Sequence, residues 1–195
     1  MKTTRPKISI VVPIHDMTNG AFFLWRNINS ILSQSFTDYE IVITKDGKMA
    51  ENTNSGIGRA RGELIKILYL DDYFSSELSL EDIVLNFKDE DEWMITGTHN
   101  NKNPYWTDDI TTGNNHLGSP SALTIRNRRD KLYFDETLSW LLDCDYYRRM
   151  YDKFGPPKIL SVANVTLGEG DHQMTHILTD EEKLSEYKYL NQKYE

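Results

Sequence analysis

An α/β fold, built on a mostly parallel sheet flanked by helices, is what this sequence predicts, on three observations. Leu64 to Leu70 holds six aliphatic or aromatic residues in seven, the length and make-up of a strand buried on both faces. Lys7 to Ile14, a β-branched apolar run, is followed by a helical stripe and then by Asp38 to Thr44, another β-rich run. Parallel strands need a crossover between them, so strand, helix and strand over about 40 residues read as one βαβ unit. Third, two carboxylates, Asp71 and Asp72, stand where the buried strand should end.

The elements follow in order. Pro13 ends the first strand because it has no N–H for the ladder, and His15 and Asp16 begin the next loop. Leu24, Ile28, Ile31 and Leu32 fall at i, i+4, i+7 and i+8, the stripe of a helix lying on the sheet. After the second strand comes the turn Lys45-Asp46-Gly47, then a polar segment from Asn52 to Gly62, including Asn54, with room for a short helix. Its glycines lack the order and strand context of a dinucleotide fingerprint. Ser79 precedes Leu80, Ile83, Val84 and Phe87 at helical spacing, with Asp82 in capping-box position. Trp93 to Thr98 reads as a strand. Asn100 to Ser119 has almost no apolar periodicity, and a loop of that length reads as a flexible wall of a site.

Ser121 to Arg126 should return to the sheet. A helix then carries Tyr146, Tyr147, Met150, Tyr151 and Phe154, and Gly155-Pro156-Pro157 stops it. Asp143 falls near its N-terminus, where the positive end of the dipole favours a carboxylate. Lys158 to Leu167 is a last strand, and Gly168 to Gln173, with His172, is too polar for core. Thr179, with Glu182 as capping partner, opens a terminal helix along Leu184, Tyr187, Leu190 and Tyr194. The expected organisation is one domain over 1–178 and a helix over 179–195 packed on it.

Bulk properties exclude several classes. No apolar run approaches the ~20 residues needed to cross a bilayer, and the basic start, Met1 to Lys7, leads into a strand rather than a signal peptide. The single cysteine, Cys144, suits a reducing compartment, so a cytoplasmic chain, peripheral to a membrane at most, is expected. A net charge of −8 argues against non-specific adhesion to nucleic acid or anionic lipid. The local exception is Arg126, Arg128, Arg129 and Lys131, which reads first as a solvated turn and second as a contact for an anionic acceptor.

In open α/β sheets ligands gather outside the carboxyl ends of the strands. Adjacent acids there can hold a divalent cation and the phosphates it carries. His172 could complete such a site from its loop. Trp140 could stack on a sugar or belong to the core, and Gly118-Ser119-Pro120 could let backbone approach a donor or form a plain turn.

The segments Ile8 to Ile14, Asp38 to Ile43 with Lys45-Asp46-Gly47, Gly62 to Lys66 leading to Asp71-Asp72, and Trp140 to Tyr146 together resemble the family 2 glycosyltransferases of the GT-A fold. The resemblance covers most of residues 7 to 175. It implies transfer of a sugar from a nucleotide-diphosphate donor, UDP-linked, with inversion, assisted by Mn²⁺ or Mg²⁺. It places Pro13, Ile14, His15 and Asp46 on the base and ribose. The paired acids Asp72 and Asp71 match the family's metal ligands, with Asp71 touching ribose or metal; beside the resemblance, Asn54 is a candidate nucleotide contact and His172 either a further metal ligand or merely an exposed loop residue. Gly118, Ser119, Trp140 and Asp145 are the candidates for contact with donor or acceptor sugar, and Asp143 matches the family's general base. Here Leu142 replaces the usual Glu before that acid, which leaves Asp145 as the competing candidate. Lys45-Asp46-Gly47-Lys48 stands where the family often has Asp-Asp-Gly-Ser. A glycan or lipid-linked acceptor is the family default, with a nucleic-acid acceptor, a hydroxylated base, as the minority expectation. Two other readings stay open. A sugar-nucleotide pyrophosphorylase would be expected to open with a glycine-rich phosphate loop, which Pro13 to Met17 is not. A non-catalytic nucleotide- or glycan-binding module would bind without metal dependence.

Overall fold

The computed structural model describes residues 5–195, so the first four residues of the basic start and of the expected 1–178 unit lie outside it. Alternation sets the sheet. In β1 (Ile8–Pro13), Val11 packs on one face while Ile8, Ile10 and Val12 pack on the other. In β3 (Leu64–Ile67), Ile65 and Ile67 share the face of Val11, and Leu64 shares that of Ile8. With β2 (Tyr39–Thr44) on its other side, β1 is the middle of three parallel strands. The buried run from Leu64 outlasts its ladder: Leu68 still donates its N–H to the Val11 carbonyl of β1 at 2.9 Å, and Tyr69 and Leu70 continue beyond it.

The other strands are β4 (Tyr73–Phe74), β5 (Trp93–Thr98), β6 (Leu123–Arg126) and β7 (Lys158–Thr166). Their order across the sheet is β2-β1-β3-β6-β5-β7-β4. Because β6 runs antiparallel to both β3 and β5, and β7 runs parallel to β5, five strands point the same way. One edge therefore collects the exits of β1, β2, β3, β5 and β7 together with the entry to β6. The two-residue β4 carries no sequence signal and pairs only with the end of β7.

Helices cover both faces. α1 (Gly20–Leu32) and α3 (Ser79–Asn86) lie over the Ile8 face, and α2 (Met49–Arg59) and α4 (Leu142–Phe154) over the Val11 face. A one-turn helix α5 (Met174–Ile177) precedes α6 (Asp180–Tyr194). Thr179 and Glu182 form the capping box that opens α6, whose Leu190 is fully buried against α4's side of the core, although Leu184 is exposed.

Three local expectations are corrected. The α1 stripe is not carried by Leu32, which is 62% exposed; Asn27 is fully buried instead, because its amide is spent on the backbone beneath the acids. Ser79 does not cap α3: it is the first helical residue, and its hydroxyl donates to the Asn164 carbonyl, leaving Asp82 without a capping role. The Asn100–Ser119 loop contains a 3-10 turn at Ile110–Thr112, and Ile110 and Leu117 anchor it in the core.

Candidate active site

The shared edge carries the site. Two adjoining cavities, of about 240 and 430 Å³, are both lined by His15, Tyr69, Asp71, Ser139 and His172. The smaller also takes in Asp72, Ser119, Trp140, Asp143 and Gly168; the larger takes in Pro13, Gly47, Lys48 and Asn52. Loops after β1, β2, β3 and β7, the entry to β6 and the start of α4 thus converge as sheet direction requires.

The two acids differ. Asp71 Oδ2 lies 2.8 Å from His172 Nε2, across 101 residues of chain. Asp72, only 4% exposed, turns Oδ1 to the Gly168 N–H at 2.7 Å. Burial pushes the Asp72 carboxyl up, reinforced by the charge of Asp71. Lys66, fully buried in β3, is pushed down by the same burial; its ammonium donates to the Ser121 carbonyl, and its charge partly offsets that of Asp72. The two carboxylates thus face different partners on the wall of the smaller cavity: Asp71 turns to His172, and Asp72 to the Gly168 N–H.

The loop carrying the acids is fastened from α1. Asn27 Nδ2 donates to the carbonyls of Tyr69 and Asp72, both at 2.9 Å, and Arg26 donates to that of Asp71 at 2.5 Å. The Arg26 guanidinium lies over the rings of Tyr73, Phe23 and Phe22, 4.4, 5.2 and 5.7 Å from their centroids. From the other side, Gly168 comes so close to Asp71 that a Cβ there would meet its carbonyl at 2.6 Å. Only glycine permits that approach.

A hard cation prefers oxygen ligands and commonly borrows several from substrate phosphates and water, and histidine is the commonest nitrogen donor to a metal. Among the described residues no three His, Cys, Asp or Glu form a ready cage. The Asp71–His172 pair fits a cation completed by a diphosphate, and it faces both cavities.

Asp143 lies in the first turn of α4. Its Oδ1 accepts the Cys144 N–H and its Oδ2 the Asn115 amide, each at 2.8 Å. Burial pushes its carboxyl up to about 6 against those donors, the range of a general base working near neutrality. Asp145, by contrast, points away from both cavities. It is fully buried between Arg149 at 2.6 Å, Lys193 at 2.7 Å and the Tyr194 hydroxyl at 2.7 Å, so its candidacy as base is withdrawn.

Other expected contacts are sorted by the same geometry. Pro13 and His15 line the larger cavity. Ile14 lies in a side cleft, its carbonyl accepting from Asn52 Nδ2. Asn54 is not at the cavity: its amide is spent on Phe134 and Glu136. Two positions on a helix are about 200° apart, so Asn52 faces the cavity that Asn54 turns away from, and Asn52 bridges the Ile14 carbonyl and the Asp46 N–H. The Asp46 carboxylate is taken by Ser55 and Arg59 on the outer side of α2. Ser119 lines the smaller cavity, whereas the Gly118 carbonyl is used behind it by Asn115 and Tyr147. Trp140 lines the cavity and is also half-buried, edge-on to Tyr187 at 5.3 Å.

The basic cluster stands at the wrong end. Arg126 pairs in register with Leu64, the first residue of β3, so the cluster lies across the sheet from Asp71. Arg126 is also spent on the carbonyls of Asp91 and Lys88, and Arg128 on Glu92 and Asp130.

No protein-family profile and no curated sequence matches this chain. Solved structures do. S. aureus TarS 1-349 in complex with UDP-GlcNAc superposes with a TM-score of 0.68 at 18% identity, covering 94% of this chain and 65% of that one. The same TarS 1-349 without ligand in its description gives 0.64 at 17%, over 83% and 60%. A mannosyltransferase from Pyrobaculum calidifontis, PcManGT, in complex with GDP-Man and Mn²⁺, gives 0.61 at 12%, over 89% and 59%. The chain thus spans under two thirds of the length of each. The fold is of the GT-A type: a curled seven-stranded sheet flanked by helices. No helix among the described residues is long and apolar enough to cross a membrane.

Proposed function

We propose that the chain is a metal-assisted glycosyltransferase that moves a sugar from a nucleotide-diphosphate donor to an acceptor hydroxyl with inversion, in the manner of family 2. One observation carries the reading: in a fold shared with glycosyltransferases, Asp71 and His172 stand on the wall of the same cavity as Asp143, a carboxylate with no countercharge of its own. The donor's base and ribose take the larger cavity, against Pro13, His15 and Asn52. Its diphosphate reaches Asp71 and His172, which would hold a Mn²⁺ or Mg²⁺ ion whose Lewis acidity would offset the leaving charge. Asp143, ionised above about pH 6, accepts the proton of the acceptor hydroxyl. Asn115 and the Cys144 N–H aim that carboxylate, and Asp72 with Gly168 and Asn27 holds the loop beneath Asp71.

UDP is the nucleotide expected on the family resemblance, and the UDP-GlcNAc and GDP-Man complexes of the structural neighbours make UDP and GDP donors the first to screen. A glycan or lipid-linked hydroxyl is the acceptor class, and the cytoplasm, at a membrane surface at most, is the working place. The test is release of UDP, GDP or TDP from a donor panel with Mn²⁺ present. Binding that ignores the metal and yields no nucleotide release would point instead to a non-catalytic module.

A further inference from the structure

The N-terminus of α4 has no cap of its own. Leu141 stands at the N-cap position with no side chain able to accept a hydrogen bond, although this helix presents Asp143. The backbone leading into it is held instead from α6. The Glu186 carboxylate takes three consecutive backbone N–H groups: Ser139 on Oε1 at 2.8 Å, and Trp140 and Leu141 on Oε2 at 2.9 and 2.8 Å. A negative group there also faces the positive end of the α4 dipole. Its aim is set by packing, because Leu190, one turn on, is fully buried and Tyr187 meets the Trp140 ring edge-on. Ser139 and Trp140 line the cavity, and Asp143 follows two residues after the last captured N–H.

We infer that Glu186 is a positioning residue for the proposed base, a clamp from the C-terminal helix that fixes the Ser139–Leu141 entry to α4, and with it Asp143, against the cavity. The inference rests on the glycosyltransferase reading for its kinetic part only. Misplacing a catalytic group by about 1 Å costs on the order of 10²-fold in rate. Glu186→Ala should therefore lower kcat for transfer by about 100-fold, with donor KM and calorimetric UDP affinity little changed. Glu186→Gln, which keeps one acceptor oxygen, should fall between. Lys193→Ala is the control: it loosens α6 from Asp135 and Asp145 without touching the three N–H groups, so it should lower the melting temperature and leave kcat per folded molecule unchanged.

A readout independent of turnover is the ¹³C titration of the Asp143 carboxylate, which faces Asn115, Cys144, Tyr69 and Tyr147. In Glu186→Gln its midpoint should move from about 6 toward the ordinary carboxylate range; in Lys193→Ala it should stay. An unmoved titration in both Glu186 variants, or a kcat loss that merely tracks the melting temperature as in Lys193→Ala, overturns the inference. A wild-type chain that binds no UDP or GDP with Mn²⁺ overturns the glycosyltransferase reading instead, and the titration alone then decides the role of Glu186.

Discussion

Two sides of one helical turn carry the same residue type to opposite ends. Asp143 and Asp145 are two positions apart at the start of α4, so their side chains diverge by about 200°. On the cavity side, Asp143 has neutral donors only, the Asn115 amide and the Cys144 N–H. On the α6 side, Asp145 is surrounded by Arg149, Lys193 and the Tyr194 hydroxyl. An anion with cationic partners fastens one element to another. A buried anion without them has its proton affinity raised and is left able to exchange that proton with a substrate.

The strongest way to break this contrast is to neutralise each acid. Asp143→Asn should reduce transfer by about 10²–10⁴-fold while calorimetry with UDP and Mn²⁺ finds wild-type affinity; normal transfer would remove Asp143 from the chemistry. Asp145→Asn should do the reverse. It leaves two cations short of a partner and should cost roughly 2 kcal/mol in denaturant unfolding, less than for a fully buried pair because both partners are partly exposed. Its kcat per folded molecule should hold.

Next in size is the metal pair. Asp71→Asn, or His172→Ala, should abolish the Mn²⁺-dependent gain in UDP affinity, whereas Lys48→Ala, which lines the larger cavity and not the smaller, should leave that gain in place.

The pH response sharpens the same contrast. Because burial raises Asp143 to about 6, the base is protonated below that value, and kcat should fall about tenfold per pH unit on the acid side. The folded chain then holds a proton that the unfolded chain has already lost between about pH 4 and 6, so stability should decline as pH rises through that window, and Asp143→Asn should flatten the decline. Asp135 works in the other direction. Although partly buried, it is held below the usual carboxylate range by Lys193, Thr137 and Tyr189, so the stability it adds is present above about pH 4 and lost as pH falls further. The smallest effect should come from Arg128→Ala with Arg129→Ala: at the opposite edge of the sheet, the pair should change neither transfer nor its salt dependence. A steep salt dependence that this pair removes would reinstate a nucleic-acid acceptor.

What could be read in advance were features set by local pattern. The β-rich runs, the paired acids at the end of Leu64–Leu70, the first-turn position of Asp143 and the Thr179–Glu182 box each depend on neighbours a few residues away. Residues fixed by distant partners could not be read. Asn27 and Arg26 stand outside the apolar stripe of α1, yet they tie down a loop some 45 positions later. Lys66 looked like an interruption in a strand, and its carbonyl partner lies 55 residues on. Asn52 and Asn54 could be told apart only once the phase of α2 was known, and the polar run around them does not fix that phase. Leu32 was assigned inward because periodicity marks a face without saying where the helix leaves the sheet.

Gly168 and His172 enter the site from the last strand, reaching back 96 and 101 residues to Asp72 and Asp71. The proposed ion seat is accordingly the last part of this edge to be finished during synthesis. A nascent chain halted shortly after β6 would already own the walls around Pro13, His15 and Asn52, yet lack the His172 imidazole that meets Asp71. Proteolytic nicking between Glu169 and Asp171 in the finished protein should reproduce that half-built condition, sparing the sheet while uncoupling nucleotide capture from manganese.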